Sequence, residues 1–475
     1  MFEDIPVEVG IVHEGERIRQ QQMHVEFGGP KVPNKFELVQ MKASKDVKDG
    51  KVTVVGKGLA DFEAGSRASI AIILHVAGKK MEKDLEPVLE RRIHDFFNYV
   101  EGVMHLNQRY DIWIRVNKED VKKGLTLEHL GKVTIQLMKQ EFKFIEKMEA
   151  FIYTDEKDIE SRIKSAREIY ETRDARARTL TDDEVDEFYG CILCQSFAPI
   201  HICVITPERM ALCGAISWFD ARASARIDPE GPNFVIEKGE VLDADKGQYS
   251  GVDEAVDEKS GGVTKEIYLH SMFGLPHTSC GCFEAIVFYI PEIDGVGLVN
   301  REYMETCVNG LKFSQMAEQT GGGEQTEGFL GTAVEYFRSK KFLQGDGGWT
   351  KVAWMPNVVY DSIVDFIPEE FKDKIATGDV KNIKGLKSFL EEKGHPLAQA
   401  WAKPAEEETP AEAPAPAAIE AAPVTASPGT LMQVPAGAPA MTLPAMTVPA
   451  GGGFKFTFKN ARIYADKVII QKAKE

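Results

Sequence analysis

No run of 18 or more apolar residues occurs in this chain of 475 residues, so no membrane-spanning helix is expected. The opening MFEDIPVEVG has neither a basic stretch nor an apolar core, which argues against a secretory signal. Positive charge is scarce as well. Lys and Arg total 57 against 74 Asp and Glu, a formal charge of −17, whereas a nucleic-acid ligand calls for clustered cations. The glycine-rich QTGGGEQTEGFLGTA (319–333) lacks the Gly-Lys-Ser/Thr ending of a phosphate-binding loop and reads as turns before a helix. Cysteine is the most informative scarcity: there are seven, none before 191 and none after 307. The expected setting is the cytoplasm, where thiols stay free or bind metal rather than pair.

The length suffices for two or three domains with ample cores. Residues 1–165 read as an α/β domain. RASIAIILHVAG (67–78) is a continuous apolar run of strand length, and the segment after it carries Leu85, Leu89, Ile93, Phe96 and Phe97 at helical spacing. RYDIWIRVN (109–117) alternates like a half-buried strand, a helix follows near 127–145, and MEAFIYT (148–154) is a further strand. This alternation predicts βαβ units and a partly parallel sheet. A charged, solvated helix is expected over 156–180. Thr181 through Glu184 has capping-box spacing, and Gly190 suits the residue past a helix end, so a short acidic helix is expected to lead into Cys191.

Residues 166–402 then form the second domain of an α/β, mixed α+β chain, with the apolar EAIVFYI (284–290) as a strand. Residues 403–453 are dominated by Ala and Pro and read as a disordered linker. Residues 454–475 alternate Phe454, Phe456 and Phe458 with polar residues, as strands do. Twenty-two residues cannot build a core alone, so the tail docks on a partner or folds back on its own body.

The chemistry lies in the cysteines. Cys191, Cys194, Cys203 and Cys213 form a C-x2-C-x8-C-x9-C pattern. Four thiolates hold zinc or an iron–sulfur cube; the wide spacing of Cys203 and Cys213 suits a cluster approached from several sides, while structural zinc usually draws two close pairs. The tripeptide Cys280-Gly281-Cys282 is different. Two sulfurs and two backbone amide nitrogens can wrap one metal in a plane, as Ni(II) or Cu(II) prefers, and Gly281 lets the backbone approach the metal. The sulfurs keep lone pairs able to bridge to a second metal. Cys307 has no place in either pattern and reads as a buried, inert thiol. His201 and His277, beside the cysteine stretches, read as hydrogen-bonding supports of the ligands.

The run CILCQSFAPIHICVITPER…LCGAISWFDARA, followed by LPHTSCGCFEAIVFYIPE, resembles the active-site region of acetyl-CoA synthases. Residues 1–400 most closely resemble the β subunit of the archaeal acetyl-CoA decarbonylase/synthase complex. The resemblance implies a CO-methylating acetyl-CoA synthase, an acyltransferase of anaerobic one-carbon metabolism and methanogenesis. It would assemble or cleave acetyl-CoA from a corrinoid-borne methyl group, CO and CoA. It also implies that Cys191, Cys194, Cys203 and Cys213 hold a [4Fe–4S] cluster. Cys194, Cys280 and Cys282 would share a proximal nickel, and Cys280, Gly281 and Cys282 a distal one, giving two Ni ions. Phe197 matches the aromatic of the small-ligand pocket, so the catalytic set is Cys194, Cys280, Cys282 and Phe197.

For CoA, the resemblance points to the first domain, where Arg109, Trp113 and Arg115 are expected on one face of the RYDIWIR strand; a plain solvent-facing surface is the other reading. The implied partners are a corrinoid iron–sulfur methyl-carrier protein and CO dehydrogenase subunits, with no nucleic acid and no membrane. A competing reading is a non-catalytic iron–sulfur electron-transfer subunit or a zinc-stabilised interaction subunit, which leaves the CGC tripeptide idle.

Overall fold

The computed structural model describes residues 2–275, 277–323 and 326–402. The linker at 403–453 and the tail at 454–475 lie outside the described residues. Among the described residues, seventeen strands and a set of helices form a mixed α/β architecture with several partly parallel sheets. In the first half, β1 (Met23–Gly28) lies between β4 (Ser66–Ala68), parallel, and β7 (Trp113–Asn117), antiparallel; β6 (Val103–Leu106) completes that sheet beyond β7. A second sheet has the order β2 (Lys35–Met41), β5 (Ile70–Gly78), β8 (Ile145–Tyr153), β3 (Val52–Val55). Here β2 runs parallel to β5, and β3 parallel to β8. Central β5 is buried on both faces over most of its length, which is why its sequence is continuously apolar. The run expected as one strand over 67–78 is in fact two: Ser69 separates β4 from β5, and each joins a different sheet.

Helix α1 (Glu86–Asn98) is the pivot. Glu86 and Pro87 occupy its first turn, where an acid meets the helix dipole and proline costs no hydrogen bond. All of its residues are buried, because it packs against β2 and β6, against α3 (Leu127–Glu141) and against α5 (Trp218–Ile227). Its apolar residues face the core, while Arg91, His94, Asp95 and Asn98, at i, i+3, i+4 and i+7, form a buried polar stripe. Between α1 and α3, a short α2 (Lys118–Lys122) follows β7, capped by the Asn117 side chain. Helix α4 (Glu156–Ala177), capped by Asp155, is not solvated throughout: Ile159, Ala166, Tyr170 and Asp174 bury one side of it.

In the second half, β9 (Glu187–Cys191) lies between β10 (Cys203–Ile205) and β11 (Asn233–Glu237), both antiparallel to it. A small hairpin, β12 (Val241–Asp243) and β13 (Gln248–Tyr249), leads to α6 (Ser250–Ser260). The last sheet has the order β16 (Phe329–Thr332), β14 (Ala285–Ile290), β15 (Gly295–Asn300), β17 (Val352–Trp354), with α7 (Phe313–Thr320) against it.

Two local expectations change. Thr181 and Glu184 do form a capping box, but over a single 3-10 turn, and the chain then enters Cys191 as strand β9 rather than as a helix. Gly190 serves close approach instead of helix termination, since a Cβ there would stand 2.2 Å from the Phe234 ring. The segment at 319–333 ends in β16 and is followed by a 3-10 turn at Val334–Arg338 rather than by an α-helix.

Candidate metal centre

Backbone pairing brings the first thiols together. Cys191 ends β9, Cys203 begins β10, and the two are directly paired across the ladder. Cys194 lies in a 3-10 turn at Leu193–Ser196 just beyond β9. Cys213 closes the loop back from β10, in a turn where Gly214 takes φ +71°. The second stretch arrives from the other side, after Ser279 pairs with Gly323 and before β14 begins at Ala285. Cys194 and Cys280 then pack together with Ala198, and Phe197 and Cys282 lie against them. All seven cysteines are free thiols, and only Cys282 is not fully buried.

Three sulfurs from the two stretches interact directly. Hydrogen bonds from Cys280 and Cys282, with the nearby Arg91 charge, hold the Cys194 thiol well below its ordinary pKa of 9.0, while Cys280 is pushed up. Cys282 is pushed up to about 12, first by its bond to Cys194. Burial raises Cys191 and Cys213 and pushes Cys203 up to about 12, with the neighbouring thiols adding to it. Without a metal, then, Cys194 is the most readily ionised sulfur of the set, and its neighbours hold their protons more tightly. Uptake of a cation by these sulfurs would release those protons. Among the described residues, no three His, Cys, Asp or Glu groups form a single-ion site. The donors are all soft sulfur, and in an iron–sulfur cluster each thiolate serves a different iron.

Helix α1 contributes what the sequence reading missed. Arg91, fully buried, donates from Nη2 to Cys194 Sγ at 3.0 Å and from Nη1 to both oxygens of Asp95 at 3.0 Å. His94 places Nε2 3.7 Å from Cys282 Sγ. The tautomer follows from the network. Asn98 is oriented by the His105 backbone, accepting from its N–H at 2.7 Å and donating to its carbonyl at 2.9 Å. The same amide group donates to His94 Nε2 at 3.3 Å, so the His94 proton sits on Nδ1 and is given to His105 Nδ1 at 3.2 Å. His105 in turn donates from Nε2 to Glu37 at 2.5 Å. Burial and the Arg91 charge keep His94 neutral, well below its ordinary 6.5. The usable signal was the polar stripe itself, since four polar residues on one side of a helix that also carries Leu89, Ile93, Phe96 and Phe97 for the core are expensive to bury without a task.

The CGC turn is gripped from behind. Arg301 donates from Nε to the Phe283 carbonyl at 2.7 Å and from Nη2 to the Gly281 carbonyl. Gly281 takes φ +96°, and a Cβ there would lie 3.5 Å from Gly321, so the residue is required by its backbone conformation rather than by crowding. His201 and His277 do not touch the sulfurs through hydrogen bonds. His201 Nδ1 meets Thr278 Oγ1 at 3.0 Å, and its pKa is pushed down to about 4 by burial; His277 is also held neutral by burial. Cys307 stands apart, pushed up to about 12 by burial alone.

A cavity of about 780 Å³ opens on the CGC turn; Cys280, Gly281, Cys282, Phe197, His94 and Trp113 are among the residues lining it. Of the three residues expected to meet CoA, Trp113 lines this space. Arg109 is not on the strand: β7 begins at Trp113, and Arg109 lies in a left-handed turn at φ 60°. It is 4% exposed, donates to both oxygens of Asp174 at 2.9 Å, and reaches the Ala215 carbonyl at 3.2 Å. Arg115 is bound to Glu26 at 2.7 Å and to the Ile18 carbonyl at 2.9 Å, and stacks over Trp113. Its guanidinium is thus already engaged with the protein itself. Arg17 and Lys312 also line the cavity.

Residues 5–159 match the family described as the CO dehydrogenase/acetyl-CoA synthase complex beta subunit, and residues 170–401 match the family described as the C-terminal part of the ACS/CODH beta subunit. The chain belongs to this beta-subunit family, and its function is of the acetyl-CoA synthase type. It is 52% identical over 477 residues to the acetyl-CoA decarbonylase/synthase complex subunit beta of Methanothermobacter thermautotrophicus, covering 99% of this chain and 100% of that one. It is 51% identical over 473 residues to subunit beta 2 of Methanosarcina thermophila, covering 99% of each. A solved C-terminal domain of an acetyl-coenzyme A synthase alpha subunit shares 36% identity over 25% of this chain and 96% of its own, with a TM-score of 0.24.

Proposed function

We propose that the chain is the acetyl-forming and acetyl-cleaving member of a larger enzyme complex of one-carbon metabolism, working at a nickel–nickel–[4Fe–4S] centre. The observation that carries this reading is the meeting of Cys194 with Cys280 and Cys282 at the end of a cavity. The donor set fits such a group: its side chains are all sulfur, all but Cys282 are buried, and a positive-φ glycine lies between the two cysteines of the turn. Cys191, Cys194, Cys203 and Cys213 would hold the cube, Cys194, Cys280 and Cys282 the proximal nickel, and Cys280, Gly281 and Cys282 the distal nickel. When bound, the nickel pair would supply the place where a methyl group and CO are joined and passed to the thiol of CoA.

The protein's own share is to bind, orient and keep out water. Arg91 donates to Cys194 Sγ and fixes its position, and Arg301 fixes the backbone of the CGC turn. Phe197 packs over Cys194 and Cys280 and narrows the cavity on the side where only small ligands are needed. CoA would enter along Trp113, with its phosphates met by Arg17 and Lys312, because Arg109 and Arg115 are committed to carboxylates of the protein. The methyl donor would be a corrinoid iron–sulfur carrier, and CO dehydrogenase subunits the neighbours. The test is metal analysis of anaerobically purified, nickel-reconstituted chain, with acetyl transfer assayed on the same sample. About two nickels and four irons per chain, with activity tracking nickel, is expected from the ligand count. Iron without retained nickel or activity would leave an electron-transfer subunit, and zinc alone would defeat both readings.

A further inference from the structure

Arg91 and Arg209 are both buried beside the cysteine-bearing segments, and their charge balance differs. Arg91 shares its charge with Asp95 at 3.0 Å. Arg209 has no such companion among the described residues. It lies in the tight turn between Cys203 and Cys213, where its backbone pairs with Thr206, and it is 2% exposed. Its Nη1 donates to the Val204 carbonyl at 3.0 Å, while Nε and Nη2 have no partner among the described residues. Asp182, whose charge also reaches it, is already engaged by His270 at 3.1 Å and by the Glu208 N–H at 3.0 Å. The anchor of Arg209, the Val204 carbonyl, belongs to the residue after Cys203, and the turn that carries Arg209 returns to Leu212, whose N–H donates to Cys203 Sγ at 3.3 Å.

A guanidinium cannot shed its proton, and an unpaired cation taken out of water costs several kcal/mol. Something must offset that cost, and the anion this part of the fold prepares is the four-thiolate group itself. We propose that Arg209 is the built-in counter-ion of the four-thiolate centre, a positioning residue that acts through Cys203 to hold the centre's negative charge and set its reduction potential. This rests on the iron–sulfur reading above. A fixed cation stabilises the reduced, more negative form of a cluster, so removing it lowers the midpoint potential.

The experiment compares full-length wild type, Arg209→Met and Arg209→Lys after anaerobic reconstitution with iron and sulfide, reading iron content, midpoint potential by spectroscopic titration, and the rate of iron loss to a chelator. Arg209→Met is expected to take up iron, to show a more negative potential, and to lose iron several-fold faster, while Arg209→Lys stays near wild type. An Arg209→Met potential equal to wild type at full iron content overturns the inference and leaves the iron–sulfur reading standing. A wild-type chain that takes up no iron overturns that reading instead. If neither variant folds, the guanidinium's shape is what the turn requires and the counter-ion role is refuted; folding restored by Lys alone supports it.

Discussion

Arg109→Met separates a structural cation from a ligand-binding one. In the structure Arg109 and Asp174 form a two-pronged ion pair with side-chain exposures of 5% and 11%, tying the turn before β7 to helix α4. The third contact, to the Ala215 carbonyl, reaches the segment just after Cys213. Removing the cation strands the Asp174 carboxylate, and breaking a buried pair from one side costs about 3–5 kcal/mol. Taking about 2.1 cal/mol/K per residue over the folded unit, Met1–Pro404, that loss lowers Tm by about 4–6 °C. The assay is calorimetry beside a CoA-dependent exchange measurement, run also on Arg109→Met/Asp174→Leu, where both charges are gone and most of the loss is expected to return. The KM for CoA should stay within about two-fold, since an uncommitted ligand contact would be worth more than that. A Tm unchanged to within about 1 °C, together with a raised KM, would refute the ion-pair argument and return Arg109 to the CoA site.

Cys280→Ser and Cys282→Ser are expected to lose nickel and acetyl transfer while keeping most of the iron-dependent absorption; loss of the iron in both would mean the sites are not separable. Glu14 gives a pH signature. Burial, with Asp95 next and against Arg91, Arg92 and the Ser196 hydrogen bond, pushes its carboxyl up from 4.5 to about 7. The folded chain therefore keeps a proton that the unfolded chain has released between about pH 4.5 and 7, so stability falls as pH rises through that window. Glu14→Gln should raise Tm at pH 8 and leave it unchanged at pH 4, and equal Tm differences at both pH values would contradict this assignment.

How far the sequence could be read depended on how rare each signal was. Seven cysteines confined to one region are conspicuous, and the strand and helix periods of β5, α1, α3 and β8 stood out because their apolar patterns are long. The polar residues of α1 carried information that is hard to see, because Arg91, His94, Asp95 and Asn98 look like an ordinary solvated face until the burial of the whole helix is known. Arg109 misleads for a backbone reason. Period-two spacing puts it on the strand, but Asn107 and Arg109 both take left-handed φ values near 60°, which breaks the strand before Trp113. Gly190 fits a helix end and a close strand contact equally well in sequence, and only the Phe234 ring decides between them.

The burial of α1 bears on the order in which this protein is built. The helix leaves the ribosome well before any cysteine does, and it carries the side chains that meet Cys194 and Cys282. Because α1 is packed against α5 as well as α3, neither the helix nor the thiols it meets reach their final surroundings until both halves of the chain have folded together. A fragment starting at the cysteine-bearing half would keep every cysteine yet lack both Arg91 and His94, and its sulfur cluster would be left unfinished.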